Sequence, residues 1–170
     1  AQPILRYLER YVGARATAED LCQEPLMRMD QGWSSFAGRS SVKTWAFSIA
    51  SRVAVDYFRR PGRETRIVEL DESGELIDSD RAIDERLVVD TMNECVRQVI
   101  DSLPDTSRAA LILHDLEGLS AEQTAEICEC SVASAKIRIH RARLRLKAAL
   151  KGQCMFYRDP DNVFRCDRKA

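Results

Sequence analysis

Between Leu119 and Leu150 the chain reads LSAEQTAEICECSVASAKIRIHRARLRLKAAL, two helical periods separated by a tight turn. Ser120, with Gln123 three residues on, has the form of a capping box and opens a short helix over Thr124, Ala125 and Ile127. A turn through Glu129–Ser131 leads into a second helix. Its apolar positions, Val132, Ala135, Ile139, Ala142 and Leu146, step by three and four and are expected to face the short helix. This spacing predicts a helix-turn-helix. Lys136, Arg138, Arg141, Arg143, Arg145 and Lys147 all belong to the second helix, and no acidic side chain interrupts them. A solvated charged face is the usual fate of such a run, but without Glu or Asp for i,i+4 pairing the cations repel one another. The formal net charge of the whole chain is −1, so the cations are a local concentration. Positive charge gathered along one helix of a near-neutral chain addresses phosphate. A helix in this position enters the major groove, its first turns at base edges and its later cations on phosphates.

The remainder of the chain is read as helical too. With 45% hydrophobic and 31% charged residues, only 7 Gly and no alternating Val/Ile/Thr stretch, the 170 residues predict an all-α fold in two small domains. No apolar run approaches the roughly 20 residues that cross a bilayer. The first residues, AQPILRYLERYV, lack the charged head and apolar core of a signal peptide. Several of the six cysteines fall at apolar helical positions, which predicts reduced core thiols in a cytoplasmic protein.

Residues 1–60 form the first predicted domain. Leu5, Leu8 and Val12, then Leu21, Leu26 and Met29, then Trp45, Phe47, Ile49, Val53 and Tyr57 recur at helical spacing. Thr17 is expected to cap a helix starting near Ala18, and Pro25 to kink or restart it. Residues 61–84 carry Pro61, Gly62 and Gly74 among Glu69, Asp71, Glu72, Glu75, Asp78 and Asp80 and read as a flexible acidic linker. Residues 85–151 form the second domain. Leu87, Val88, Met92, Cys95, Val96, Val99 and Ile100 make one stripe, Leu103–Pro104 ends it, and Thr106 or Ser107 is expected to cap the next helix. Gly118 supplies the turn before Ser120.

A second candidate site runs from Phe36 to Arg60, where Lys43, Arg52, Arg59 and Arg60 interleave with Trp45, Phe47, Tyr57 and Phe58. Cations among aromatics suit single-stranded nucleic acid, whose bases stack while its phosphates pair. Aromatics at helical spacing also suit a core, and the pattern alone leaves both open. His114 and His140 fall on different helices with no carboxylate arrangement around them. No Gly-rich phosphate loop, zinc-finger spacing or Ser/His/Asp set is present, so neither an enzyme nor a cofactor is expected.

AEDLCQE (Ala18–Glu24), SSVKTWAFSIASRVAVDYFRR (Ser40–Arg60) and the helix-turn-helix occur in an order that resembles the extracytoplasmic-function sigma factors of bacterial RNA polymerase. The resemblance covers nearly all of Ile4 to Leu150. It implies a region 2 domain, an acidic linker and a region 4 domain, together directing core polymerase to specific promoters, for instance under stress. By the same resemblance, Asp20, Gln23 and Glu24 dock on the polymerase clamp, and Lys43 to Arg60, including Trp45, Arg52 and Arg59, melts and holds the minus-ten element. A loop near Ala50–Val53 would capture a flipped base. Lys136, Ile137 and His140 would read the minus-thirty-five element, with Arg138, Arg141 and Arg145 on its backbone. An anti-sigma factor is a common partner in that family. The chain departs from the family pattern in four places. Pro25 stands where a helix former is usual, Arg52 where Asn is common, Glu129 where Gly is frequent, and Ala133–Ser134 where Gly-Thr begins the second helix.

Residues 152–170 extend past the usual family end. Cys154 and Cys166 bracket a turn at Asp159–Asn162, which predicts a hairpin bringing the two thiols together. They could serve as a redox disulfide or as half of a metal site completed by Cys128 and Cys130; inert thiols are the simpler alternative. Two other functions stay open at this stage: a helix-turn-helix regulator that acts without polymerase, and a metal- or redox-sensing regulator using Cys154 and Cys166.

Overall fold

The structure, a computed structural model, describes residues 1–59, 94–158, 160 and 164–168. Three helices make the first unit: α1 (Gln2–Val12), α2 (Arg15–Gly32) and α3 (Val42–Arg59). Gly13 joins α1 to α2 at φ 78°, a left-handed conformation that glycine adopts without Cβ strain. The N-cap of α2 is Ala14, three residues before the expected Thr17, so Thr17 lies inside the helix. It also runs unbroken through Pro25. Proline there forfeits one backbone bond, and its ring is fully buried with Ala18 and Cys22 on the inner face of the helix, which offsets that loss. The Ser41 hydroxyl caps α3, accepting from the Thr44 N–H at 3.0 Å.

The second unit holds α4 (Glu94–Asp101), α5 (Asp105–Leu111), α6 (Ala121–Ile127) and α7 (Val132–Gln153). α5 begins directly after Pro104, ahead of Thr106 and Ser107, and neither caps it. Ser107 is buried. α5 widens over Ile112–Leu116 into a π turn closed by the Glu117 N–H on the Ile112 carbonyl. Strands β1 (Cys154–Arg158) and β2 (Phe164–Arg168) then pair antiparallel, so a small hairpin is appended to an otherwise helical fold. The predicted linker and Arg60 lie outside the described residues.

One core runs through both units. Tyr7, Leu8, Tyr11 and Phe47 of the first cluster with Val96, Val99, Leu111, Ile112, Leu113 and Ile127 of the second. On α3 the buried positions are Thr44, Phe47, Ala50, Ser51, Val53 and Ala54, mostly small, while Trp45, Ile49 and Tyr57 are only partly covered. Small residues on that face let neighbouring backbones approach closely. Arg108 bridges the units from a buried position. Its guanidinium donates to the carbonyls of Asp101, Leu103 and Tyr11 and lies against the rings of Tyr11 and Phe58.

Candidate nucleic-acid interface

The helix-turn-helix forms as its sequence requires. The Gln123 N–H donates to the Ser120 hydroxyl at 3.1 Å, and the Ser120 N–H donates to the Gln123 side chain at 2.9 Å, closing the capping box on α6. α6 ends in a Schellman motif, with Cys130 N–H on Ala125 O and Glu129 N–H on Glu126 O. Glu129 is the left-handed residue of that motif at φ 52°, the position for which glycine is best suited. Ser131 caps α7 by accepting from the Ser134 N–H at 3.0 Å.

α7 buries Ala135, Ile139, Ala142 and Leu146, as its spacing predicts, but Val132 is exposed at the helix start. Lys136, His140 and Arg145 are exposed; Ile137, Arg138 and Arg141 are half-buried. Among the described residues no salt bridge involves Lys136, Arg138 or Arg145. Arg143 is different: it holds Asp115 through two hydrogen bonds of 2.8 and 2.5 Å. His114 is also occupied, its Nδ1 lying 2.7 Å from the Leu119 carbonyl.

In the first unit, Trp45, Arg52 and Arg59 follow one another at seven-residue steps along α3, two helical turns apart, and so share one side. Lys43, Arg52 and Arg59 are exposed. Ala50–Val53 is not the expected loop but the interior of α3, with Ala50, Ser51 and Val53 buried and Arg52 exposed. The irregular segment of this unit is Trp33–Ser41, and it carries an aromatic group. Trp33, 59% exposed, stacks on Phe36 at 6.1 Å with an interplanar angle of 14°, and Phe36 meets Trp45 at 4.9 Å. Gly32 gives the Trp45 indole room, since a Cβ there would stand 3.1 Å from it. Sequence spacing placed Trp45 in a core stripe and passed over Trp33, although Gly38 and the neighbouring serines predict a turn around Ser34–Ser41.

On α2, Asp20, Gln23 and Glu24 are all exposed, opposite the buried Ala18, Cys22 and Pro25. Glu24 pairs with Arg28 one turn on. The exposed apolar residues Leu26 and Met27 follow on the same helix.

The two units touch through charged and polar groups around the shared core. Arg52 Nη2 and Nε lie 2.6 and 3.2 Å from Glu129 Oε1. Lys43 Nζ donates to the Glu117 carbonyl at 2.8 Å, and Arg10 pairs with the Glu117 carboxylate at 2.5 Å.

The tail hairpin pairs Cys154 with Arg168 and Phe156 with Cys166. The two cysteines are therefore two positions out of register, not opposite each other as the bracketing had suggested. Burial, reinforced by the neighbouring Cys130, pushes the Cys128 thiol up to about 12. Among the described residues no three His, Cys, Asp or Glu side chains converge on a point where a metal could sit. Among them, too, no helix is long and apolar enough to cross a membrane.

Residues 1–64 match the family described as sigma-70 region 2, and residues 93–146 match sigma-70 region 4. The RNA polymerase sigma factor YlaC of Bacillus subtilis is 33% identical over 147 residues, covering 86% of this chain and 84% of that one. The ECF RNA polymerase sigma-E factor of Haemophilus influenzae is 34% identical, covering 80% and 75%. Among solved structures, the sigma factor RpoE in complex with the anti-sigma factor NepR from Bartonella quintana superposes with a TM-score of 0.67 at 27% identity, covering 87% of this chain and 89% of that one. With two helical units matching regions 2 and 4 in order, and relatives this similar over most of their length, the chain belongs to the extracytoplasmic-function branch of the sigma-70 RNA polymerase sigma factors.

Proposed function

We propose that the chain carries core RNA polymerase to specific promoters, gripping DNA at two places. α7 lies in the major groove of the upstream element, with Lys136, Ile137 and His140 at base edges and Arg138, Arg141 and Arg145 on phosphates. Region 2 holds the opened strand. Lys43, Arg52, Arg59 and Arg60 pair with its phosphates, while Trp33, Phe36 and Trp45 offer a stacking surface for an unpaired base. This moves base capture from the middle of α3 to the segment before it. The observation that carries the reading is the aromatic cluster of exposed Trp33 stacked on half-buried Phe36, which meets half-buried Trp45, in the unit that carries the exposed cations of α3, on a chain whose other unit presents a cationic second helix.

The exposed face of α2, with Asp20, Gln23 and Glu24 next to Leu26 and Met27, suits a protein partner, which we assign to the polymerase core. Its place of work is then the cytoplasm. The RpoE relative is seen bound to an anti-sigma factor, and a partner of that kind fits this chain as well. A regulator acting without polymerase would have no use for a unit matching region 2. In vitro transcription with core polymerase across a panel of genomic promoters tests the reading. A subset of promoters should fire only when the chain is added, and Asp20→Ala with Glu24→Ala should weaken co-purification with core. Absence of any chain-dependent transcript would overturn it.

A further inference from the structure

Arg143 lies on the side of α7 that carries the base-reading residues, yet its guanidinium is turned to the protein. Lys136, His140 and Arg143 follow one another by four and three residues and so share one stripe of the helix. Arg143 Nε donates to Asp115 Oδ2 at 2.8 Å and Nη2 donates to Oδ1 at 2.5 Å, a fork that engages both carboxylate oxygens. The two side chains are 40% and 24% exposed, and an ion pair so open to water adds little stability. What such a fork supplies is direction, because it is satisfied at one distance and one orientation.

The inner face of α7 supplies much less of it. Ala135, Ile139, Ala142 and Leu146 are apolar, two of them with no more than a methyl group, and apolar contact is non-directional. It fixes which side of the helix is inward more firmly than the rotation about the helix axis. Asp115, in contrast, is itself held. It belongs to the π turn over Ile112–Leu116, closed by the Glu117 N–H on the Ile112 carbonyl at 2.9 Å, and such turns are frequent at functional sites. Beside it, His114 Nδ1 lies 2.7 Å from the Leu119 carbonyl. A carbonyl only accepts, so Nδ1 carries the proton and ties the turn to the residue before the cap of α6.

We propose that Asp115, acting through Arg143, is a positioning residue for base reading. The fork sets the rotation of α7 and so the angle at which Lys136 and His140 meet base edges. This rests on the reading that α7 lies in the major groove. A rotation of about 10–20° is enough to spoil a directed contact. Selectivity at the upstream element then depends on two residues that touch no base.

The test measures duplex binding by core polymerase carrying the intact chain, on the preferred upstream element and on versions with one base pair changed. A single changed pair costs a correct reader roughly fivefold to 150-fold in affinity. Asp115→Asn and Arg143→Lys should each cut that discrimination roughly threefold to tenfold, with the salt slope unchanged because neither removes a phosphate contact. Asp115→Glu, which keeps the carboxylate, should retain most of it. Discrimination is a ratio within one protein, so a variant that folds less completely does not alter it. Full discrimination in Asp115→Asn and Arg143→Lys, where Lys136→Ala loses it, overturns the positioning role and leaves the promoter reading standing. A salt slope lowered by about one in Arg143→Ala, with discrimination intact, overturns it too and makes Arg143 a phosphate ligand. If Lys136→Ala and His140→Ala discriminate as the unmodified chain does, the base-reading assignment of α7 fails, and the positioning role fails with it.

Discussion

Arg52 of α3 and Glu129 of the helix-turn-helix form an ion pair, with Nη2 2.6 Å from Oε1, between residues 77 positions apart in the sequence. The pair joins two helical units and fixes Glu129 where its backbone is strained. A non-glycine residue in the left-handed region costs about 1–2 kcal/mol, more than the roughly 0.2–1 kcal/mol of an exposed ion pair. Substitution at 129 should expose both terms. Glu129→Gly relieves the backbone and loses the pair, so the thermal midpoint should hold or rise slightly. Glu129→Val keeps the strain, adds a β-branched side chain and also loses the pair, and should destabilise by about 1–2 kcal/mol. Equal midpoints for Gly and Val would show that the φ of 52° is not a constraint in solution.

The two groups of residues on α7 should separate by the kind of DNA contact they lose. Lys136→Ala and His140→Ala should cost about 1–3 kcal/mol on the preferred promoter and relax selectivity among base substitutions. Arg145→Ala should weaken binding to all sequences alike and lower the salt slope by about one. Duplex binding by the holoenzyme across a salt series and a panel of upstream-element variants checks both. A selectivity change from Arg145→Ala, with none from Lys136→Ala, would reverse the assignment.

Trp33 and Phe47 are both large aromatics in the first unit, yet their substitution should read out differently. Trp33 is 59% exposed, so Trp33→Ala should leave the fold nearly unchanged and cost about 1–3 kcal/mol in holding the opened strand. Phe47 is almost fully buried against Tyr7, and Phe47→Ala should cost about 3–5 kcal/mol of stability through the cavity it leaves. Chemical denaturation and permanganate footprinting of the open promoter complex measure the two effects. A Trp33→Ala protein that opens promoters normally would remove the stacking role.

Alkaline pH should loosen the fold. Burial raises the Cys128 thiol from its ordinary 9.0 to about 12 and pushes the Tyr7 and Tyr11 hydroxyls well above their ordinary 10.0. The folded chain thus holds protons that the unfolded chain releases. The stability from these neutral groups is complete below pH 9 and falls as pH rises above the unfolded values, by up to about 1 kcal/mol per pH unit for Cys128. Urea midpoints at pH 8, 9 and 10 should decline, and Cys128→Ala should flatten the first part of that decline. Cys128 should also react slowly with iodoacetamide at pH 8. Rapid alkylation of the folded chain there would contradict its burial.

The helical units were legible because local signals and burial agree in them. Ser120 and Gln123 announce a cap that forms as written, and Ala135, Ile139, Ala142 and Leu146 mark the inner face of α7. Reading failed where a residue's type and its environment part company. On α3 the search for large apolar side chains missed the small buried set of Ala50, Ser51 and Ala54 and gave Trp45 and Tyr57 too much weight. Thr17 resembles a cap, but α2 had already begun at Arg15, and Pro25 is tolerated because its ring is buried. The seam between units was invisible for a different reason. Arg10, Arg52, Arg108, Glu117 and Glu129 look like ordinary surface charges in sequence, and only tertiary structure brings them to their partners.

α7 runs 22 residues without interruption and passes directly into β1. At 1.5 Å per residue its two ends stand about 33 Å apart, roughly four Debye lengths at physiological ionic strength. Lys136 and His140 themselves lie about 26 and 20 Å along the helix from Gln153, two to three Debye lengths, so a charge gained or lost at the hairpin reaches them strongly screened. Because α7 is one helix held along its length by the buried Ala135, Ile139, Ala142, Leu146 and Leu150, the hairpin and the base-reading turns are fixed to the same rigid body.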